Sequence, residues 1–302
     1  MSTLLRLLAA AVVLAAVAAA TVLFRITRRV KGHYFDSNGV DLHYTVEGEG
    51  EPVVLLHGFA VNADINWRLP GITQALAKEF RVIAMDLRGH GLSGKPHDAR
   101  QYGMKMVDDV LRLLDHLKIG KAHVVGYSLG GMVTLKLAAT HPERLLTASP
   151  LGAGWERPES SAFLGAIGEI EEALKSGRGV GPLSGHLGGE RQRPGLLHTW
   201  WVKFVTRYLN DGHALGDMVR AMPDLAVEEE DLRRIPVPVC SIVGSRDPLR
   251  AGVDAMQGLV PDLKVAVLDN ADHIRAPRRP ELLGALKSFL REHSPDRSPN
   301  RG

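Results

Sequence analysis

The sequence predicts an α/β fold, a mostly parallel sheet flanked by helices and interrupted by an inserted helical cap, with an apolar helix at the N-terminus. Three observations carry this expectation. From residue 33 onward, short β-branched runs alternate with segments of helical period; residues 155–231 then lose the strand pattern; and the alternation resumes from 232 to 293. The length of 302 residues and a composition of 45% hydrophobic and 24% charged residues suit one large globular body and exclude wholesale disorder.

The order begins with residues 1–31. Leu7 to Phe24 run 18 residues without a charge, about 27 Å as a helix at roughly 1.5 Å per residue, which spans a bilayer. A retained membrane anchor is expected, because Val22, Leu23 and Phe24 continue the apolar run past Ala18-Ala19-Ala20. A signal cleaved after those alanines, with the body exported, is the alternative. The flanking charges, Arg6 on one side and Arg25, Arg28, Arg29 and Lys31 on the other, lean toward a cytoplasmic body. These five basic residues also account for the net charge of +3, since the rest of the chain carries −2. No nucleic-acid footprint is therefore expected.

Within residues 32–154, the first part of the core, 40–46 alternates as a half-buried strand, and 52–56 (PVVLL) and 81–86 (RVIAMD) read as short apolar strands joined by loops. A helix is predicted over 107–117, with Val107, Val110, Leu111, Leu114 and Leu117 inward and Asp108, Asp109, Arg112 and Asp115 outward. A strand at 121–127, a helix from 129 to 140 stopped by Pro142, and a strand near 145–148 follow. Residues 155–231 read as helices and glycine-rich loop, a helical cap. The second part of the core, 232–293, carries strands at 237–244 and 263–268 and a helix near 281–290, and the polar, proline-rich tail 294–302 reads as disordered.

Chemistry concentrates where strand 121–127 meets the next helix. There Gly126-Tyr127-Ser128-Leu129-Gly130 forms a G-x-S-x-G on a turn tight enough that only glycine fits on either side of the serine. The turn exposes the Ser128 hydroxyl and leaves the Leu129 N–H free to hold a developing oxyanion. Two further motifs lie at strand ends, His57-Gly58-Phe59-Ala60 after PVVLL, and Asp86-Leu87-Arg88-Gly89-His90-Gly91-Leu92-Ser93.

With these motifs the chain resembles the α/β-hydrolase family over residues 33–293. The resemblance implies Ser128 as nucleophile, the Phe59 N–H as second oxyanion donor beside that of Leu129, and a triad in the chain order serine, acid, histidine. That order leaves His273 and His293 as bases. His273, in the loop after strand 263–268, is preferred over His293 at the edge of the tail. Asp247, following strand 237–244, is the expected acid, with Asp269 and Asp272 as rivals by sequence proximity to His273. The HGFA loop departs from the HGGG type of many lipases, so lipase specificity is not implied.

Other titratable groups read as structural: Asp86 beside Arg88 as a loop fixer, His57 and His90 as loop braces, His97, His141 and His213 as solvated, and the single Cys240 as core. No cofactor or metal is expected, since neither a dinucleotide fingerprint nor a metal-ligand spacing occurs. The expected activity is hydrolysis of a carboxylic ester of a small or lipid-like apolar substrate. Trp155, Trp200 and Trp201, with Phe163 and Phe204, are candidates for lining its pocket from the cap. Carbon–carbon bond hydrolysis by the same triad, or ligand binding without catalysis, are the alternatives. A serine nucleophile argues against haloalkane dehalogenase and epoxide hydrolase chemistry, for which similar family members use aspartate.

Overall fold

A computed structural model describes residues 29–156, 162–180 and 208–294, with isolated positions (10, 13, 14, 17, 20 and 21) of the N-terminal stretch. Contacts divide the chain into two units, residues 1–31 and 32–302. The expected anchor over Leu7–Phe24 lies largely outside the described residues, as does all of the tail but Ser294. Among the described residues, no helix is long and apolar enough to cross a membrane.

Among the described residues, the body has eight strands: β1 (His33–Asp36), β2 (Asp41–Glu47), β3 (Pro52–Leu56), β4 (Arg81–Met85), β5 (Ala122–Tyr127), β6 (Leu145–Leu151), β7 (Val239–Gly244) and β8 (Leu263–Leu268). They align in the order β1-β2-β4-β3-β5-β6-β7-β8. β2 is antiparallel to both of its neighbours, and every pairing from β4 to β8 is parallel. The helices, in chain order, are α1 (Ile72–Leu76), α2 (Met104–His116), α3 (Leu129–Thr140), α4 (Ala162–Lys175), α5 (Gly212–Ala221), α6 (Glu229–Arg233), α7 (Arg250–Ala255) and α8 (Pro280–Glu292).

The strand sequences follow from their places in the sheet. Central parallel strands are covered on both faces and so are mostly apolar, as in β5 and β7, whose residues are all buried, His123 and Ser241 included. Alternate residues feed two cores: Val54, Leu56, Ile83 and Met85 pack with α2 and α3 on one face. Val53, Leu55, Val82 and Ala84 pack with Trp67, Phe80 and α8 on the other. Chain order reverses around β3, which lies between β4 and β5, and ligands of open parallel sheets bind beyond the carboxyl ends of strands at such a reversal.

The structure departs from the sequence reading at several elements. A strand, β1, precedes the first one expected, and residues 64–76, read as loop, form a π-helical turn (Asp64–Arg68) followed by α1. Neither α1 nor α7 exceeds six residues, too short for a periodic signal to register. Asp109, expected to face outward on α2, is fully buried. It accepts from Arg88 Nε at 2.6 Å and from Ser37 Oγ at 2.6 Å, and a second bond comes from Arg88 Nη2. In the region read as cap, α4 and α5 pack together through Ile170, Leu174, Leu215 and Met218.

Candidate active site

The position of the expected nucleophile is a backbone constraint before it is chemistry. Ser128, between β5 and α3, has φ 53° and ψ −113°, a conformation that costs a non-glycine residue on the order of 1–3 kcal/mol. The turn is tight enough that a Cβ on Gly126 would stand 1.9 Å from the Gly130 carbonyl oxygen, and one on Gly130 2.3 Å from that of Leu56. The serine hydroxyl is thereby presented beyond the carboxyl end of the sheet.

Two more strand ends converge on it. Ser128 Oγ lies 3.0 Å from His273 Nε2, and His273 Nδ1 lies 2.8 Å from Asp247 Oδ2. His273 and Asp247 are each 4% exposed, so the pair is shielded from water. Asp247 uses its other oxygen to accept the Leu249 N–H at 2.9 Å, which fixes the carboxylate plane. The loops after β7 and β8 are tied to each other by Arg246 N–H to the Ala271 carbonyl and by Asn270 N–H to Ser245 Oγ. The rival acids face elsewhere: Asp272 accepts from the Ile274 and Arg275 N–H groups, and Asp269 from the Asn270 amide. His293 bonds the Phe289 carbonyl at the far end of α8. Cys240 is buried, and burial pushes its thiol up to about 12.

The backbone donors near the serine sort by elimination along two short segments. Around the serine, Ser128 N–H is taken by the Leu151 carbonyl and Gly130 N–H by that of His57. In the loop after β3, Gly58 N–H is taken by Asn66 Oδ1 and Ala60 N–H by His90 Nε2. The N–H groups of Leu129 and Phe59, between these, have no acceptor among the described residues. They are donors left for a ligand.

Histidines brace this loop, as expected. His57 donates from Nδ1 to the Gly58 carbonyl at 2.7 Å and accepts the Leu87 N–H at Nε2, which specifies one neutral tautomer. Burial, with His57 next to it, holds His90 well below the usual histidine range, leaving its Nε2 free to accept. Asp86 fixes the loops as expected, through the N–H groups of Ala63 and Leu92 and through His43, rather than through Arg88. Burial would raise its carboxyl; these donors and the nearby His57 outweigh that and hold it well below the carboxylate range.

A cleft of about 150 Å³ opens over the serine, walled by Phe59, Val61, Ile65, Pro70, Ile274 and Pro277. Trp155, expected to line a pocket, is not on its wall. It sits in the core at 8% exposure, its indole N–H donating to the Val227 carbonyl at 2.7 Å. Trp200 and Trp201 lie outside the described residues, as do Phe204 and the side chain of Phe163.

A family model described as alpha/beta hydrolase fold matches residues 51–164. The chain is 31% identical over 261 residues to a dihydrolipoyllysine-residue acetyltransferase component of an acetoin cleaving system from Pseudomonas putida, covering 83% of this chain and 66% of that protein. It is 26% identical over 289 residues to the 2-hydroxy-6-oxo-6-(2'-aminophenyl)hexa-2,4-dienoic acid hydrolase of Metapseudomonas resinovorans, covering 85% and 90%. It superposes with a TM-score of 0.68 and 25% identity on a thermophilic esterase from Thermogutta terrifontis, covering 89% and 100%. The chain belongs to the α/β-hydrolase superfamily. It spans a little under two thirds of the length of the Pseudomonas putida relative.

In this α/β hydrolase the structure adds site residues that the linear sequence does not mark. Tyr127, the variable residue before the serine, donates its hydroxyl to the His273 carbonyl. Asn66 and Arg278 line the cleft from short helical turns after β3 and β8. Tyr127 alone had a signal, its place inside the G-x-S-x-G. Among the described residues no group of three or more histidine, cysteine, aspartate or glutamate side chains is placed to hold a metal.

Proposed function

We propose that this α/β hydrolase is a serine hydrolase that cleaves carboxylic esters through an acyl-enzyme. The observation that carries the proposal is the unbroken hydrogen-bond chain from Ser128 Oγ through the His273 ring to Asp247. A serine hydroxyl is a weak nucleophile until a base takes its proton. As Oγ adds to the ester carbonyl carbon, its proton passes to His273 Nε2, and Asp247 stabilises the imidazolium and holds the ring in place. The carbonyl π electrons move to oxygen, where the Phe59 and Leu129 N–H groups receive the charge. Collapse of the tetrahedral species breaks the bond to the alcohol oxygen, which leaves with the proton from His273. Water then adds to the acyl-enzyme by the same route, releasing the acid and restoring the serine.

The test is hydrolysis of p-nitrophenyl esters of increasing acyl length by wild type and Ser128→Ala. Turnover with a pre-steady-state burst in wild type alone supports the proposal. Absence of turnover on every ester by folded wild type contradicts it. The similarity to the dienoic acid hydrolase favours a second reading, carbon–carbon bond hydrolysis by the same residues. That reading predicts activity on a vinylogous diketone and negligible turnover across the ester panel.

The apolar run from Leu7 to Phe24 supports a membrane-anchored enzyme acting near lipid-like substrates. Mass spectrometry of the mature N-terminus tests this: intact residues 1–24 in the membrane fraction are expected, and a chain beginning at Thr21 contradicts an anchor.

A further inference from the structure

Besides the triad and Tyr127, whose hydroxyl is committed to the His273 carbonyl, the polar side chains lining the cleft over Ser128 are Asn66 and Arg278, and each keeps donors without an acceptor among the described residues. Asn66 is 6% exposed. Its Oδ1 accepts the Gly58 N–H at 3.0 Å, which settles which end of the amide is oxygen and leaves the NH2 as a donor. That Nδ2 is buried and has no acceptor among the described residues. A buried donor without an acceptor costs about 1–3 kcal/mol, so an arrangement that anchors one end of the amide of a cleft-lining residue and leaves the other without an acceptor is suited to a ligand. Asn66 and Ser128 flank the same glycine: a Cβ built on Gly58 would touch both Asn66 Oδ1 and Ser128 Cβ at 3.5 Å.

Arg278 is the second observation. Three arginines follow His273 at short spacing. Arg275 pairs with Asp272 at 3.5 Å and Arg279 with Glu281 at 3.2 Å. Arg278, the one that lines the cleft, has no carboxylate beside it among the described residues. A neutral donor on the floor and a free guanidinium at the rim of one apolar cleft are complementary to a carboxylate.

We propose that Asn66 and Arg278 form a subsite that reads a carboxylate on the leaving group of the substrate. The choice of leaving group rests on the serine-hydrolase reading: His273 must hand its proton to the departing oxygen, so that half of the substrate lies against His273 and the residues after it. Ile274, Pro277 and Arg278 are those residues. The volume near 150 Å³ suits one aromatic ring, since an apolar cavity of about that size accepts benzene. The substrate class is thus an ester whose alcohol is a small, flat or compact hydroxy acid.

The test uses binding of the product half, which needs no chemistry. The full chain is titrated calorimetrically with 3-hydroxybenzoate and with its neutral methyl ester, as wild type, Arg278→Gln and Asn66→Asp. Asparagine-to-aspartate keeps the acceptor for Gly58 N–H and removes the free donor, but it also adds a negative charge, so its loss of preference counts only alongside that of Arg278→Gln. Wild type is expected to bind the carboxylate at least about tenfold more tightly than the methyl ester, a preference that shrinks with salt because Arg278 is exposed. Each variant is expected to lower the preference to about twofold or less. Equal binding of the two compounds by wild type, or a preference retained in Arg278→Gln, overturns the proposal. If Asn66→Asp fails to fold, Arg278→Gln, at an exposed position, decides alone. Loss of phenyl acetate hydrolysis in Ser128→Ala separately tests the serine reading, so failure of one claim is not confused with failure of the other.

Discussion

The phenol of Tyr127 donates its hydrogen bond to the main-chain carbonyl of His273, 146 residues away, and the two rings lie 5.2 Å apart. The residue preceding Ser128 thus sets the backbone of His273, the base in the proposed mechanism. Burial raises the Tyr127 hydroxyl well above its ordinary value, with the negative charges of Asp247 and Asp272 adding to the effect, so it remains a donor at any working pH. A Tyr127→Phe variant keeps the packing and leaves the His273 carbonyl without its buried donor, at about 1–3 kcal/mol. Because misplacement of a catalytic group by about 1 Å is worth up to about a hundredfold in rate, kcat for ester hydrolysis is expected to fall 10- to 100-fold. KM is expected to change little. A stability loss with unchanged kcat would show that this bond does not position the base.

Arg88 and Asp109 are a buried ion pair, 1% and 0% exposed. Burial raises the Asp109 carboxyl, and the Arg88 guanidinium works against that rise. Arg88 also donates to the Gln101 carbonyl at 2.6 Å, so the pair ties the loop after β4 to α2 and to the segment before it. Removing one partner leaves an uncompensated buried charge. Arg88→Met is expected to cost about 3–5 kcal/mol in urea unfolding, and the double variant Arg88→Met, Asp109→Leu distinctly less than the sum of the single changes. Simple additivity would refute the pairing as the source of the effect.

His123, on β5, is fully buried and bonds Thr147 Oγ1 at 2.8 Å. Burial, aided by the nearby His293, lowers its pKa to about 4 and outweighs the attraction of the Glu51 carboxylate 3.6 Å away. The unfolded chain has the ordinary value near 6.5. Above about pH 6.5 the residue is neutral in both states and contributes no pH dependence. Between there and about pH 4 the unfolded chain takes up a proton that the folded one refuses, so stability falls as the pH falls. The full difference corresponds to about 3 kcal/mol. Urea midpoints measured from pH 7.5 to 4.5 are expected to decline in wild type and to decline less in His123→Leu. Parallel profiles would assign the acid sensitivity to other groups.

What was legible in the sequence follows from how tightly the fold constrains each residue. Ser128 sits on a turn that only flanking glycines allow, and Asp247 and His273 lie just past two late strands, so position along the chain narrows their identity. Asp109 was misread because helical periodicity reports which face a residue occupies but not whether a charge on another loop, here Arg88, waits beneath it. Trp155 was misread because an aromatic in an inserted segment packs a core as well as it lines a pocket, and only the bond to Val227 distinguishes the two. Asn66 was invisible: its meaning depends on Gly58 occupying one end of the amide and nothing occupying the other.

The central claim is that Ser128 is an activated nucleophile, and covalent labelling tests it most directly. A fluorophosphonate probe, followed by intact-mass and peptide analysis, is expected to add one equivalent to wild type at Ser128 and none to Ser128→Ala. Asp247→Asn, which misorients the imidazole, is expected to label about 10³- to 10⁴-fold more slowly. Folded wild-type protein that stays unlabelled, or a Ser128→Ala variant that labels as wild type does, would contradict the assignment.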